Sequence, residues 1–276
     1  MNIQNPFLSI SASPMGGELT SIQLFRQEIL YQKDGWWQCQ DHLIFPIIGK
    51  GDRYSCHHVA LSMNQHGFPR TSDMLDVKNS DTSMSFSMRS TPDTLRSYPY
   101  PFRLTETFEL DDDVLIRTHE VENTGEETMP FGIGDHAAYQ VRFGKAKLIL
   151  PPLRYIPKSR DGVTHSFDEA FPFSGELFLD AEKEFMLNQD TIIFINEGLP
   201  IILHTGKGVA IEFHSSSPYV AMWTPPNSDG FLCLEPWWGL PTRDKDPLEL
   251  AERKELRFLE PGQKASFQSR IRFFLD

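Results

Sequence analysis

The chain reads as all-β, an antiparallel sandwich or barrel, and three features of its sequence predict this. Polar and apolar residues alternate with a period of two through many short runs, as they do in strands with one buried face. Turn-forming clusters separate those runs at short intervals. Helix signals are few and too short to build a second layer.

In chain order, Phe7-Leu8-Ser9-Ile10-Ser11 is the first alternating run, and Ser83-Met84-Ser85-Phe86-Ser87-Met88 follows the same pattern. Thr91-Pro92-Asp93-Thr94-Leu95 offers an N-cap threonine with proline at the first helical position, and Pro99 ends that short helix. Val114 to Val121 alternates loosely. Phe231-Leu232-Cys233-Leu234-Glu235 alternates up to Pro236, whose missing N–H predicts that the strand stops there or lies at an edge. Asp246-Pro247-Leu248-Glu249-Leu250-Ala251-Glu252 opens like a helix of at most about two or three turns. Ala265 to Phe273 closes the chain with alternation. The turn clusters are Asp111-Asp112-Asp113, Asn123-Thr124-Gly125, Pro225-Pro226-Asn227 and Glu260-Pro261-Gly262. No Gly/Ser-rich linker and no internal repeat interrupts this, so one domain over residues 1–276 is expected.

Composition narrows the function classes. Hydrophobic residues make up 39%, with 21 Phe and 5 Trp, enough for a sizeable core. A formal net charge of −12 argues against nucleic acid or an anionic membrane as partner. Three cysteines, Cys39, Cys56 and Cys233, are odd in number and lack a CxxC spacing, as expected of reduced thiols in a cytoplasmic protein. The N-terminus shows no secretory pattern, and no apolar run approaches the roughly 18 residues of a membrane span.

Three segments carry chemistry. Glu235 ends its run on the face shared by Phe231, Cys233 and Trp237, and a carboxylate on an apolar face is costly unless paired or used. Flat aromatic rings beside that acid suit a sugar; the plainer alternative is a carboxylate bound by Arg243, with tryptophans filling core. By alternation Trp238 points away and is structural. Phe131-Gly132-Ile133-Gly134-Asp135-His136-Ala137-Ala138-Tyr139 surrounds an imidazole with small residues, leaving room for a ligand or a second backbone. His136 is thus a candidate proton donor or, more plainly, a histidine held in a local hydrogen bond. Gln65-His66-Gly67-Phe68-Pro69-Arg70 is a shaped loop that would aim an imidazole and a guanidinium, unless Arg70 merely pairs with Asp73 or Asp76. His57-His58 is a weaker feature, because strand neighbours face opposite ways and no second pair follows at zinc spacing. No GxSxG, GxGxxG or GxxxxGK[ST] is present.

Together these segments resemble the aldose 1-epimerase, or galactose mutarotase-like, superfamily and its LacX-type branch. The matching stretches are Phe45-Pro46-Ile47-Ile48-Gly49, His66-Gly67-Phe68-Pro69-Arg70, Met129-Pro130-Phe131-Gly132-Ile133-Gly134-Asp135-His136, Trp223-Thr224-Pro225-Pro226-Asn227 and Cys233-Leu234-Glu235-Pro236-Trp237-Trp238-Gly239, in the family's order. The resemblance implies a large antiparallel β-sandwich, the supersandwich, with an open sugar cleft on one face, and interconversion of the α and β anomers of an aldose without cofactor or metal. It implies Glu235 as general base, His136 as general acid, His66 as a second active-site histidine, Arg70 as a contact to sugar hydroxyls, and a small carbohydrate as partner. Trp237 is expected to cover the apolar face of the pyranose, with Trp223 as a second candidate. Two positions depart from the family pattern: Pro69, where Ala is common, and Asp135, where Gly is common. If the backbone is extended at Asp135, its side chain diverges from His136. No counterpart is evident for the aspartate that contacts sugar in typical galactose mutarotases. A sugar-phosphate mutarotase and a non-catalytic carbohydrate-binding protein are the competing readings; a glycosidase would call for two carboxylates, and only one has a convincing setting.

Overall fold

The structure, a computed structural model, describes residues 1–33, 35, 37–158, 170–179, 191–225, 230–243 and 246–276. Among them strands dominate, and the strand pairings within the sheets are antiparallel. The first alternating run becomes Leu8–Ala12, flanked by Asn2–Gln4 and Leu19–Leu24 in a four-stranded sheet that Gln27–Glu28 completes.

Among the described residues the long strands join a sheet of fifteen. Its order runs Leu43–Ile44, Ile133–Asp135, Phe231–Trp238, Tyr219–Trp223, Thr191–Ile195, Lys147–Lys158 and Ile201–His204. It continues through Val209–Ser215, Lys264–Leu275, Val114–Asn123, Phe102–Asp111, Ser83–Arg89 and Asp76–Asn79. Ala137–Gln140 also pairs with Phe231–Trp238, and Phe171–Phe178 with Lys147–Lys158. Phe102–Asp111 and Val114–Asn123, ten residues each, form a hairpin closed by Asp112 and Asp113; Asp112 takes φ +52°, a left-handed conformation that aspartate tolerates.

Alternation explains the layers. Leu8, Ile10 and Ala12 from the small sheet and Phe102, Leu104, Phe108, Leu115 and Val121 from the large one are buried in a shared core. Each buried leucine, isoleucine, valine or phenylalanine contributes about 1.5–3 kcal/mol of burial, against the entropy of ordering the chain. The architecture is an antiparallel sandwich of the expected class.

The Thr91 helix is present as Pro92–Ser97: Thr94 N–H donates to Thr91 Oγ1 (3.2 Å), and Thr91 N–H donates to Thr94 Oγ1 (2.8 Å). Three local expectations are corrected. The strand does not stop at Pro236 or lie at an edge; it runs through to Trp238 in the sheet interior. A residue's N–H and C=O point the same way in an antiparallel strand, and the Pro236 carbonyl faces Gly134. The absent donor therefore falls in the stretch between Gly134↔Trp237 and Ala137↔Leu234 where no ladder pair forms. The second expected helix shrinks to a 3₁₀ turn, Leu250–Glu252, because Asp246 accepts from Arg243 and Arg253 instead of capping. His57 and His58 form the turn between Tyr54–Cys56 and Val59–Leu61, not part of a strand, with φ +50° and +62° and their amides donating to Glu249. Pro226 and Asn227 of the expected turn lie outside the described residues. The three cysteines are free thiols, and among the described residues no helix is long and apolar enough to cross a membrane.

Candidate active site

The register builds the centre of the site. Extending the pairs Gly134↔Trp237 and Ala137↔Leu234 sets His136 directly opposite Glu235 on adjacent strands. Opposed residues share a sheet face. His136 Nε2 accordingly lies 3.4 Å from Glu235 Oε1, both side chains almost fully buried. The expected alternation holds: Phe231, Cys233 and Trp237 belong to clusters on the Glu235 face, and Leu232, Leu234 and Trp238 to the main core. Arg243, the alternative partner for Glu235, pairs with Asp246 (2.9 Å) and with Glu255.

Alternation also separates Asp135 from its neighbour. While His136 faces Glu235, Asp135 turns to the opposite side, where its carboxylate lies 2.6 Å from His119 Nε2 and 3.1 Å from Arg117 Nε. Arg117 is buried there among three acids. It donates from Nε to Glu106 (2.6 Å) and from Nη1 to Asp41 (2.7 Å). Burial pushes Glu106 up to about 7 and Asp41 to about 6, in each case against the pull of Arg117. Burial alone would raise Asp135 too, but Arg117 and His119 outweigh it and hold its carboxyl below the usual range.

The His66 loop is clamped by Phe45-Pro46-Ile47-Ile48-Gly49. Phe45 N–H donates to His66 O (3.2 Å), Phe68 N–H to Phe45 O (2.9 Å) and His66 N–H to Gly49 O (2.9 Å). Gly67, at φ +80°, lies so close to Phe45 that an added Cβ would sit 1.9 Å from its carbonyl oxygen. His66 itself takes φ +66°, and its Nδ1 accepts from Gly49 N–H at 3.2 Å. Pro69 opens a 3₁₀ turn, Pro69–Thr71, that carries Arg70 outward. Arg70 is exposed and forms no hydrogen bond or ion pair with any described side chain, so Asp73 does not claim it, and the side chain of Asp76 lies outside the described ones.

His66, Arg70, His136, Glu235 and Trp237 line one open cavity of about 250 Å³. That is just below the roughly 300–1,000 Å³ of pockets for drug-sized ligands and suits something smaller. Trp237 forms a deep wall backed by Ile44, Ile48 and Ile193, whereas the half-buried Trp223 and Trp37 present more ring surface. Trp37, which sequence reasoning passed over, stacks on His136 with centroids 5.3 Å apart. His42, also passed over, packs against His136 at 4.6 Å and His66 at 5.6 Å. Burial holds the His42 pKa well below its ordinary value, and the neighbouring His136, His66, Arg70 and Arg117 act in the same direction, so the ring is neutral. Asp41 and His42 repeat the pattern of Asp135 and His136: the acid enters the Arg117 cluster and the imidazole packs at the cavity.

The arrangement brings an acid–base pair, a second imidazole, a free guanidinium and aromatic faces to one cavity. The family described as Aldose 1-epimerase matches residues 1–272. Protein LacX of Lactococcus lactis subsp. lactis, in plasmid and chromosomal forms, is 25% identical over 268 residues, 88% of each chain. A galactose mutarotase related enzyme from Lactobacillus acidophilus superposes with a TM-score of 0.92 at 23% identity, covering 99% of this chain and 97% of that one. A galactose mutarotase-like protein from Lactobacillus casei ATCC 334 gives 0.86 at 23%, covering 99% of both. Galactose 1-epimerase from Lactobacillus acidophilus NCFM gives 0.77 at 13%, covering 99% and 93%. At those identities the structural likeness is one of fold, and the family match over nearly the whole sequence adds the lineage: this chain belongs to the aldose 1-epimerase family.

Proposed function

We propose that the protein is a cofactor-independent aldose 1-epimerase that interconverts the α and β anomers of a hexose. The observation that carries this reading is the cross-strand pair of His136 and Glu235, 3.4 Å apart in the wall of the cavity. Ring opening takes a proton from the anomeric hydroxyl and delivers one to the ring oxygen. Both oxygens are bonded to C1, so an acid and a base must converge on one edge of the sugar. An imidazolium–carboxylate pair is also the resting state the reaction starts from, with the proton on the acid and the base empty.

In the proposed cycle Glu235 removes the O1 proton, the O1 electron pair forms the C1 carbonyl, and the C1–O5 bond breaks as O5 takes the His136 proton. Rotation about C1–C2 presents the other carbonyl face. Closure then returns the O5 proton to His136 and the Glu235 proton to O1, leaving the enzyme unchanged. His66, oriented by Gly49 and by its clamped loop, is the second histidine of the site. Arg70 reaches sugar hydroxyls, and Trp37, Trp223 and Trp237 cover the apolar ring face. The three free thiols fit a cytoplasmic setting for this chemistry.

The test is to follow the optical rotation of freshly dissolved α-glucose and α-galactose with and without protein. Glu235→Gln and His136→Asn should each lose about 10²–10⁴-fold of the acceleration while remaining folded. Acceleration should also follow a bell-shaped pH profile, because the mechanism needs one group empty and the other carrying its proton. A variant that keeps the full rate removes its residue from the mechanism. One feature favours a second reading, a mutarotase for sugar phosphates: Arg70 stands at the cavity exposed and without a carboxylate partner among the described residues. A kcat/KM for glucose 6-phosphate well above that for glucose, lost in Arg70→Ala, would select it.

A further inference from the structure

We infer that the cavity is also a transition-metal site, in which His42, His66 and His136 bind an ion of the Zn²⁺ class and thereby exclude the sugar.

The geometry is that of a three-imidazole set. One nitrogen from each ring can be chosen so that all three lie within 4.8 Å of one another. The ring centroids are 4.6 Å apart for His42–His136, 5.6 Å for His42–His66 and 5.5 Å for His66–His136. A Zn–N bond of about 2.0–2.1 Å puts each imidazole centroid about 3.2 Å from the ion, so tetrahedral neighbours sit about 5 Å apart. The separations suit one ion, but the His42 and His136 rings are stacked with planes 25° apart, so one of those two must turn before all three lone pairs converge.

His42 supplies the independent observation. It is 1% exposed, and neither ring nitrogen has a hydrogen-bond partner. A buried polar group left unsatisfied is costly, and His42 is not among the residues that line the open cavity, whereas His136 is. A cation shared with His66 and His136 would occupy its lone pair. Neutral imidazoles select Zn²⁺, Cu²⁺, Ni²⁺ or Co²⁺ over Mg²⁺ and Ca²⁺. Glu235 Oε1, 3.4 Å from His136 Nε2, stands ready as the fourth ligand. Coordination through His66 Nε2 would displace Gln65 Nε2, now 3.2 Å from it, move the ring proton to Nδ1 and cost the bond from Gly49 N–H, which places the affinity below that of a dedicated structural zinc site. Another cluster, Glu106, His119 and Asp135, surrounds the Arg117 guanidinium, which already holds the place of a cation.

The experiment uses tag-free, full-length protein with Zn²⁺ in calorimetry and Co²⁺ in visible absorption. One equivalent should bind, with Co²⁺ showing the intense bands of a four-coordinate site. His42→Ala and, separately, His66→Gln should each weaken binding by about 10–100-fold or more, with folding checked by thermal unfolding. The exposed pair His57→Ala/His58→Ala should leave it unchanged. Absence of binding at millimolar metal, or binding that survives both cavity variants, would overturn the inference. Zn²⁺ should also abolish any acceleration of mutarotation, and chelation should restore it. Should no sugar be turned over at all, the epimerase reading fails while the binding measurements still decide this one.

Discussion

Gly134 and Gly67 hold the two closest backbone approaches at the site. A Cβ on Gly134 would lie 2.5 Å from the Pro236 carbonyl, and one on Gly67 1.9 Å from that of Phe45. Gly134→Ala should push apart the strands that set His136 against Glu235, costing about 1–3 kcal/mol. Thermal unfolding would read that cost, and polarimetry should show a larger proportional loss of rate. Trp37→Ala should behave oppositely. Its ring covers one side of the cavity, so KM should rise by about two- to tenfold, the worth of about 0.5–1.5 kcal/mol of aromatic contact, with kcat and stability little changed. Glu235 and His136 were legible in the sequence because each stands where its type is anomalous, an acid on an apolar face and an imidazole among glycines and alanines. Trp37 and His42 were not legible. Trp37 lies in an irregular polar segment with no period to expose it, and His42 precedes two apolar residues of a strand too short to show alternation.

Between elements, the buried cluster on Arg117 ties together Phe102–Asp111, Val114–Asn123, Ile133–Asp135 and the segment before Leu43. It contains three carboxylates and one guanidinium. Glu106, raised to about 7, and Asp41, raised to about 6, both bind protons more tightly folded than unfolded. Their contribution to stability is full below the ordinary carboxylate range and lost as pH rises through 6 and 7. Asp135, lowered, acts with the opposite sign, but only where pH falls through the acidic range. The melting temperature should therefore drop by several degrees between pH 5 and pH 8, and Glu106→Gln should flatten that slope. Arg117→Met should be far worse at any pH, by about 3–5 kcal/mol, because it strands the acids. None of this was visible beforehand, since the members lie up to 94 positions apart, from Asp41 to Asp135. Pro236 misled for a related reason: a proline reads as a strand end unless the neighbouring strand is known to need no donor there.

Over the whole molecule, alternation and turn spacing were enough to name an antiparallel sandwich or barrel, because those signals are local, and the family resemblance narrowed the choice to the sandwich. Strand order was not legible. Leu43–Ile44 pairs with Ile133–Asp135, and Val209–Ser215 with Lys264–Leu275, through contacts that leave no mark on nearby sequence. The cavity draws on segments from Trp37 to Trp237, so occupying it should stabilise the fold as a unit. A bound aldose at a hundredfold excess over Kd should add about 2.7 kcal/mol, seen as a rise of several degrees in melting temperature and absent with a sugar alcohol that has no ring. The cavity wall has one more consequence. Three of the chain's five indoles, Trp37, Trp223 and Trp237, border the cavity, two of them within 5.6 Å of an imidazole centroid. Intrinsic fluorescence is thereby concentrated where a guest would sit, and an unlabelled titration should report occupancy through a blue-shifted, brighter emission.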